Sequence, residues 1–204
     1  MKAYYDQRAP EYDDWYHGAG MHASVERPDW SEEVARLTRF VGELEPARTL
    51  DVACGTGFLT RHLRGQVVGL DQSPAMLEVA AERAPRAALL NADALALPFE
   101  DGSFERIFTA HFYGHLEPPE RATFLAEARR VAAELVVVDA ALHDGVEPEQ
   151  WQRRKLLDGS RHVVYKRYFS PEGLAEELDG GTPLLSGRWF VAAGARTPPA
   201  PSDE

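Results

Sequence analysis

A glycine turn between an apolar strand and a helix-like segment is the feature that most constrains this chain. The strand is short and carries Leu50 and Val52, the turn carries Gly55 and Gly57, and the helix-like segment is residues 58–63. Because glycine has no Cβ, such a turn lets the backbone come close to a ligand. The sequence therefore predicts a ligand site at the carboxyl end of this strand.

A second apolar run, residues 66–70, ends in Asp71. An acid that closes the second strand of an open α/β sheet lies where a ribose offers two hydroxyls. Together, the glycine turn and this acid predict a nucleotide-like ligand that lies across the carboxyl ends of parallel strands.

Strands and helices alternate five times along the chain, which predicts a parallel sheet with right-handed crossovers. Ser31 and Ser73 are the expected N-caps of two of the helices. The last two apolar runs, residues 184–185 and 189–193, predict a C-terminal hairpin. We expect an α/β fold with a Rossmann-like, doubly wound, mostly parallel sheet of seven strands and an antiparallel C-terminal hairpin, all in a single domain.

The domain boundaries follow from changes in composition. Residues 1–30 are an aromatic and acidic cap segment, which either packs against the domain or forms a flap over a ligand. The domain itself spans residues 31–196, and an insertion at 141–169 breaks the alternation and is expected to cap a substrate. The proline-rich tail, residues 197–204, is expected to be disordered.

The charge of the chain limits its partners. The net charge is −11, so the long-range field repels the phosphates of nucleic acid and of anionic membranes. The single cysteine, Cys54, allows neither an intramolecular disulfide nor a cysteine-based metal cluster, and it is expected to be a small buried hydrophobe. No signal peptide or membrane-spanning run is evident, so we expect a cytoplasmic monomer or homodimer that binds neither nucleic acid nor membrane.

Four motifs in order resemble those of a known family. They are DVACGTG (51–57), GLDQSPAML (69–77), NADA (91–94), and LPF followed by DGSF (97–99 and 101–104). Over roughly residues 4–178 the chain resembles the class I S-adenosylmethionine-dependent methyltransferases, in particular the UbiE-like, type 11 branch that acts on small molecules. One departure is Ala53, which stands where the family usually has its first glycine.

The resemblance implies that S-adenosylmethionine is the cofactor and S-adenosylhomocysteine the product. The implied cofactor-binding residues are Tyr12, Asp51, Ala53, Gly55, Thr56, Gly57, Asp71, Gln72, Met76, Asp93, Ala94, Thr109 and Ala110. By this analogy Asp51 would lie near the ammonium group, Asp71 would accept bonds from the ribose hydroxyls, and Asp93 would accept from the adenine. The alternatives are a turn cap for Asp51, a core residue for Met76 and a turn residue for Asp93.

Two histidines, His111 and His115, follow the fourth strand and are the candidate catalytic residues. In the resembling family the loop after that strand faces the transferred methyl group, where a histidine could orient the acceptor or act as a general base. The alternative is a structural role. A shared metal is discounted because no carboxylate is suitably placed with the pair.

The stretch from Trp151 to Tyr168 is basic and aromatic in an otherwise acidic chain. The stretch has one acid, Asp158, and more cations than acids. The cations are Arg153, Arg154, Lys155, Arg161, Lys166 and Arg167. The stretch is either a solvated helix face or part of a pocket for an anionic or aromatic small molecule. The candidate substrate-binding residues are Tyr5, Trp15, Trp151, Arg154 and Tyr168.

The function expected from these features is S-adenosylmethionine-dependent methyl transfer to a small-molecule acceptor. One alternative is an NAD-dependent oxidoreductase, which fits poorly because Gly55 and Gly57 are followed by Thr60 and not by a third glycine. A second alternative is a non-catalytic module that binds the cofactor as a sensor.

Overall fold

A seven-stranded sheet forms the centre of the protein, seen in a computed structural model that describes residues 2–196. The strands of the chain are β1 (Ala47–Val52), β2 (Gly65–Asp71), β3 (Ala88–Asn91), β4 (Phe104–Ala110), β5 (Ala132–Ala140), β6 (Glu149–Lys155), β7 (Arg161–Arg167), β8 (Thr182–Ser186) and β9 (Phe190–Arg196). The sheet has the order β3-β2-β1-β4-β5-β9-β8, with β1 to β5 parallel and β9 antiparallel to both of its neighbours. The predicted Rossmann-like sheet with an antiparallel C-terminal hairpin is confirmed.

The helices flank this sheet. They are α1 (Lys2–Arg8), α2 (Asp14–His17), α3 (Trp30–Glu43), α4 (Pro74–Arg83), α5 (Pro118–Val131) and α6 (Pro171–Glu177). None of the helices within residues 2–196 has the length and apolar character that a membrane crossing requires. The tail for which we predicted disorder lies outside the described residues.

The starts of α3 and α4 test two predicted N-caps. Ser73 is the N-cap of α4, where its hydroxyl accepts a hydrogen bond from the Met76 backbone at 3.2 Å. The prediction for Ser31 was wrong, because α3 begins one residue earlier at Trp30. The indole of Trp30 donates to the Tyr16 carbonyl at 2.9 Å, so packing against the N-terminal segment sets the start of this helix.

The helix-like segment predicted at 58–63 is only a 3-10 turn, Thr60–His62. The crossover from β1 to β2 consists of residues 53–64, which is close to the shortest connection that two parallel strands allow. After the glycine turn there is room for one helical turn before the chain must enter β2.

The core lies on both faces of the sheet. On one face the sheet packs against α5 and α6, and on the other it packs against α3 and the N-terminal segment. Leu37 and Val41 of α3 are fully buried on the second face. In β5, Val137 belongs to the first cluster while Val136 and Val138 belong to the second, as expected for a central parallel strand buried on both sides.

The basic stretch forms a β-hairpin of β6 and β7 that is separate from the main sheet. The solvated-helix alternative is therefore wrong. The hairpin is attached to the domain by buried polar contacts, since Lys166 donates to Asp139 at 2.5 Å and the His115 Nδ1 lies 2.7 Å from the Tyr165 carbonyl. These contacts place the hairpin over the carboxyl end of the sheet.

The N-terminal segment joins the sheet to this hairpin. Asp6 accepts from the Ser73 hydroxyl at 2.5 Å, and Asp13 accepts from the Thr56 hydroxyl at 2.7 Å. On the hairpin side, Glu11 accepts from the Leu157 backbone at 3.2 Å. The segment therefore covers the carboxyl ends of the first strands and contacts both parts of the protein.

Candidate active site

The glycine turn after β1 is built from three residues with left-handed backbone. They are Ala53 (φ 57°), Gly55 (φ 55°) and Gly57 (φ 75°). A Cβ on Gly57 would lie 3.3 Å from the Ala80 backbone, so glycine there also permits close packing of the turn on α4. Ala53 adopts a conformation that glycine adopts without strain, which explains why the resembling family usually has glycine at this position.

Asp71, at the end of β2, is held by the turn beside it. One carboxylate oxygen accepts from the Gly55 backbone at 2.9 Å and the other accepts from the Ser73 backbone at 2.8 Å. Burial raises the pKa of Asp71, and the two backbone donors oppose that rise. Each oxygen has a further lone pair, so the carboxylate can still accept a pair of hydroxyls.

A cavity of about 240 Å³, here called the small cavity, opens beside Asp71. It is lined by nine of the predicted cofactor residues, which are Tyr12, Ala53, Gly55, Asp71, Gln72, Met76, Asp93, Ala94 and Ala110. Met76 is buried and also lines the cavity, so a role in the core and a role in the cofactor site are compatible. Asp93 likewise forms a turn, in which it accepts from the Leu95 backbone at 2.9 Å.

The remaining four predicted cofactor residues lie outside the small cavity. Asp51 and Thr56 line a separate void of about 20 Å³ under the turn. Asp51 is 2% exposed and accepts from the Thr60 hydroxyl at 2.6 Å, and burial raises its pKa to about 7. Gly57 shapes the turn, and the buried Thr109 donates to the Val52 carbonyl at 2.8 Å, which joins β4 to β1.

A second cavity, of about 550 Å³ and here called the large cavity, lies between the N-terminal segment and the hairpin. Three of the predicted substrate residues line it, namely Trp15, Arg154 and Tyr168. Tyr5 lies instead in the wall of the small cavity. Trp151 is 59% exposed and lines neither of these cavities.

His111 lies in the wall between the two cavities and lines both. Its backbone is left-handed (φ 56°), and its ring meets Trp15 edge-on with centroids 4.9 Å apart. Its Nε2 is buried and has no hydrogen-bond partner among the described residues. Burial lowers the pKa of His111 to about 4, so the imidazole is neutral at physiological pH.

His115 also lines the large cavity, but its environment differs from that of His111. Its Nδ1 is 2.7 Å from the Tyr165 carbonyl, which requires the hydrogen on Nδ1. Burial lowers the pKa of His115 well below its usual value. Within residues 2–196, no three histidine, cysteine or acidic side chains are grouped so that they could bind a metal ion.

The comparisons with known proteins agree with this arrangement. A family model described as a methyltransferase domain matches residues 49–134. The solved structure of the DhpI-SAH complex superposes with a TM-score of 0.75 at 26% identity, over 97% of this chain and 95% of DhpI. The solved structure of the DhpI-SAM-HEP complex superposes with a TM-score of 0.73 at 27% identity, over 95% of this chain and 94% of DhpI. These matches support a class I S-adenosylmethionine-dependent methyltransferase, as the sequence resemblance predicts.

A curated relative of this chain is the demethylmenaquinone methyltransferase of Thermotoga maritima. The two are 37% identical over 101 residues, which is 47% of this chain and 43% of the relative. The chain thus spans less than half of the length of that relative.

Sequence reasoning missed several residues of the large cavity. They include Tyr4, Arg8, Gln152 and Trp189. One signal was available, because Tyr4 and Arg8 are four residues apart and therefore share a face of α1. No comparable signal marked Trp189, which the chain order places far from the other members.

Proposed function

We propose that this methyltransferase transfers a methyl group from S-adenosylmethionine, bound in the small cavity, to a small-molecule acceptor in the large cavity. The observation that carries the proposal is the shared wall, since His111 and Tyr12 line both cavities. Methyl transfer requires the acceptor atom and the methyl group to meet in line at about 3 to 3.5 Å. Two adjoining cavities with a common wall suit that requirement.

The residues of the small cavity fit the cofactor. The Asp71 carboxylate retains acceptor capacity for two hydroxyls, Met76 offers a soft apolar surface, and the turn at Gly55 brings the backbone close. When bound, the cofactor supplies a methyl group made electrophilic by its sulfonium. The protein residues need only bind and orient the reactants and move one proton where the acceptor must lose it.

We assign to His111 the role of accepting that proton. With the hydrogen on Nδ1, the neutral imidazole presents the lone pair of its buried, unpartnered Nε2. This atom can accept a proton from a hydroxyl in the large cavity. Negative charge on an acceptor there would raise the pKa of His111 above its low value and strengthen it as a base.

Calorimetric titration with S-adenosylmethionine, S-adenosylhomocysteine and NAD tests the cofactor part of the proposal. We expect wild type to bind the first two ligands and not NAD. Asp71→Ala should lose this binding, whereas Asp158→Ala, at an exposed hairpin turn, should retain it. If NAD alone bound, the cofactor assignment would be abandoned.

Formation of S-adenosylhomocysteine with a panel of acceptors tests the catalytic part. The panel should pair hydroxyl, phenol and amine acceptors with and without a carboxylate or phosphoryl group. Turnover on any member supports the proposal. Tight cofactor binding without turnover on any of them would favour a non-catalytic cofactor-binding module.

A further inference from the structure

Two guanidinium groups converge on one phenol oxygen in the large cavity. Arg8 of α1 donates to the Tyr4 hydroxyl oxygen at 2.8 Å, and Arg154 of β6 donates to the same oxygen at 3.1 Å. Neither arginine forms an ion pair with a carboxylate among residues 2–196. Two like charges held together on a neutral oxygen repel each other, and an anion between them would remove that repulsion.

Neutral groups hold both guanidinium groups in place. The Nε and Nη2 of Arg154 donate to the Gln152 side-chain oxygen at 3.3 and 2.9 Å, and Gln152 donates to the Tyr168 hydroxyl at 2.8 Å. Arg8 lies over the Tyr12 ring, 4.7 Å from its centroid. The positions of both cations are therefore fixed while their charges stay uncompensated.

The converging groups keep donors available. A guanidinium has five N–H donors, and the contacts above use three from Arg154 and one from Arg8. The Tyr4 oxygen accepts from both arginines, which leaves its own hydrogen to donate. Arg154 is partly buried and Tyr4 is buried, so these donors lie where water screens them weakly.

The charge of the surrounding wall favours an anion. Cations in the wall are Arg8, Arg27, Arg153, Arg154, Lys155 and Lys166, and acids are Glu11, Asp14 and Glu26. Lys166 is neutralised by Asp139, whereas the oxygens of Glu11 are held by the Leu157 backbone. The wall thus remains cationic although the whole chain has a net charge of −11.

We propose that Tyr4, Arg8 and Arg154 form the receptor for an oxyanion, a carboxylate or a phosphoryl group, on the methyl acceptor. The proposal rests on the proposed function, because it names the class of molecule that the large cavity takes. Planar guanidinium forks match the paired oxygens of both anions. The receptor is built from α1 and β6, so a bound anion also ties the N-terminal segment to the hairpin.

The test is calorimetric titration at low ionic strength with inorganic phosphate and with acetate as probes. The variants are Arg8→Gln and Arg154→Gln, and the matched control is Arg161→Gln, which removes the same charge from an exposed hairpin position outside the large cavity. We expect wild type to bind at least one probe. Both receptor variants should bind that probe at least about tenfold more weakly, because each loses one charge-assisted hydrogen bond. The dissociation constant of the Arg161→Gln control should differ from that of wild type by less than about twofold.

The relative affinities of the two probes and of the control variant decide which anion the receptor binds and whether the receptor exists. Tighter binding of phosphate than of acetate assigns a phosphoryl group, and the reverse order assigns a carboxylate. Equal weakening in the Arg161→Gln control would mean general charge attraction and would overturn the receptor, as would no binding of either probe to wild type. Arg154→Lys keeps the charge and loses the fork, so if the glutamine variant unfolds, a folded Arg154→Lys that binds the probe more weakly than wild type supports the geometry, and one that binds it as tightly as wild type contradicts the geometry.

The same samples separate this proposal from the proposed function. S-adenosylhomocysteine titrated into Arg154→Gln should bind as it does to wild type, because Arg154 is not part of the small cavity. If wild type failed to bind that ligand while phosphate or acetate binding followed the expected order, the proposed function would fail and the anion receptor would stand.

Discussion

Two residues with a side chain, Ala53 after β1 and His111 after β4, adopt left-handed backbone at the carboxyl edge of the sheet. This conformation costs about 1–2 kcal/mol for a residue other than glycine, and such strain is concentrated at functional sites. Both residues line the small cavity. At His111 the strain directs a polar ring into the wall that separates the two cavities.

His111→Asn tests the role of that ring without adding backbone strain, because asparagine tolerates the left-handed region. We expect kcat to fall by about 10²-fold or more on a hydroxyl acceptor, the usual size of a lost general base, while cofactor affinity stays within about twofold. Steady-state kinetics and calorimetry provide the two readouts. His62→Asn, remote from both cavities, is the control, and an unchanged kcat in His111→Asn would rule out a proton-transfer role.

Asp51 makes stability depend on pH. Its pKa is raised to about 7 by burial, so the folded chain retains a proton that the unfolded chain releases from about pH 4 upward. The free energy of unfolding should therefore fall between pH 4 and 7 by up to about 1.4 kcal/mol per pH unit from this group. His111, whose pKa is lowered to about 4, contributes in the opposite direction over pH 4–6.5.

Urea denaturation of wild type and Asp51→Asn between pH 5 and 8 isolates the Asp51 contribution, since His111 is common to both. We expect the variant to gain stability relative to wild type as the pH rises towards 7. A difference that does not vary with pH would mean that Asp51 titrates normally in the folded protein.

At the scale of elements, one buried ion pair helps to attach the hairpin to the domain. Lys166 is 5% exposed and Asp139 is fully buried, and Asp139 also accepts from the Gly114 backbone at 2.7 Å. A Cβ on Gly114 would lie 2.9 Å from the Asp139 carboxylate, so this part of the domain is closely packed around the pair. The pair therefore connects the hairpin to β5 and to the turn that carries His115.

Lys166→Met should destabilise the protein by about 3–5 kcal/mol, because it leaves the Asp139 carboxylate buried without its cation. Thermal and urea unfolding measure the loss. The double variant Asp139→Asn, Lys166→Met should recover part of it, since no unpaired charge then remains. A single variant as stable as wild type would show that the hairpin is held by its other contacts.

The main-sheet elements could be predicted from the sequence because their signals are local. The apolar, β-branched run in β5 and the serine cap of α4 predict their own structures. The signal of β6 is weak, because Trp151 is its only apolar residue, and the hairpin is attached to the domain by polar contacts. Of the two candidate substrate residues in β6, Arg154 lines the large cavity, whereas Trp151 is exposed and does not.

The sequence could predict only the part of the candidate site in which the order of the strands determines where the residues lie. Asp71 and Gly55 follow adjacent parallel strands, so their proximity follows from topology. The convergence of Tyr4 and Arg154 depends on how two peripheral segments fold over the sheet. Nothing in the spacing of those residues along the chain determines that contact.

At the scale of the whole molecule, the N-terminal segment forms part of the wall of the small cavity. It supplies Tyr5 and Tyr12 to the wall, and Asp13 fastens it by accepting from Thr56 and by pairing with Arg83. We therefore expect the release of a ligand from the small cavity to depend on these contacts.

Asp13→Asn should raise the dissociation rate of S-adenosylhomocysteine by about tenfold, since weakening contacts of this kind costs on the order of 1.4 kcal/mol. Stopped-flow displacement measures the rate. Glu32→Gln, an exposed position on α3 with the same change in charge, should leave it unaltered. Equal dissociation rates in wild type and Asp13→Asn would mean that the segment does not control exit.

The large cavity is made mainly by segments that lie apart from the methyltransferase-domain match. That match covers residues 49–134, which contain every cofactor candidate except Tyr12, whereas the cations of the large cavity stand at positions 8, 27, 153–155 and 166. Mutations can therefore alter the cations of the large cavity while the cofactor candidates stay unchanged. In evolutionary terms, the choice of acceptor and the use of the cofactor can diverge separately, so a relative that shares only the matched region is no guide to the acceptor that we propose for the large cavity.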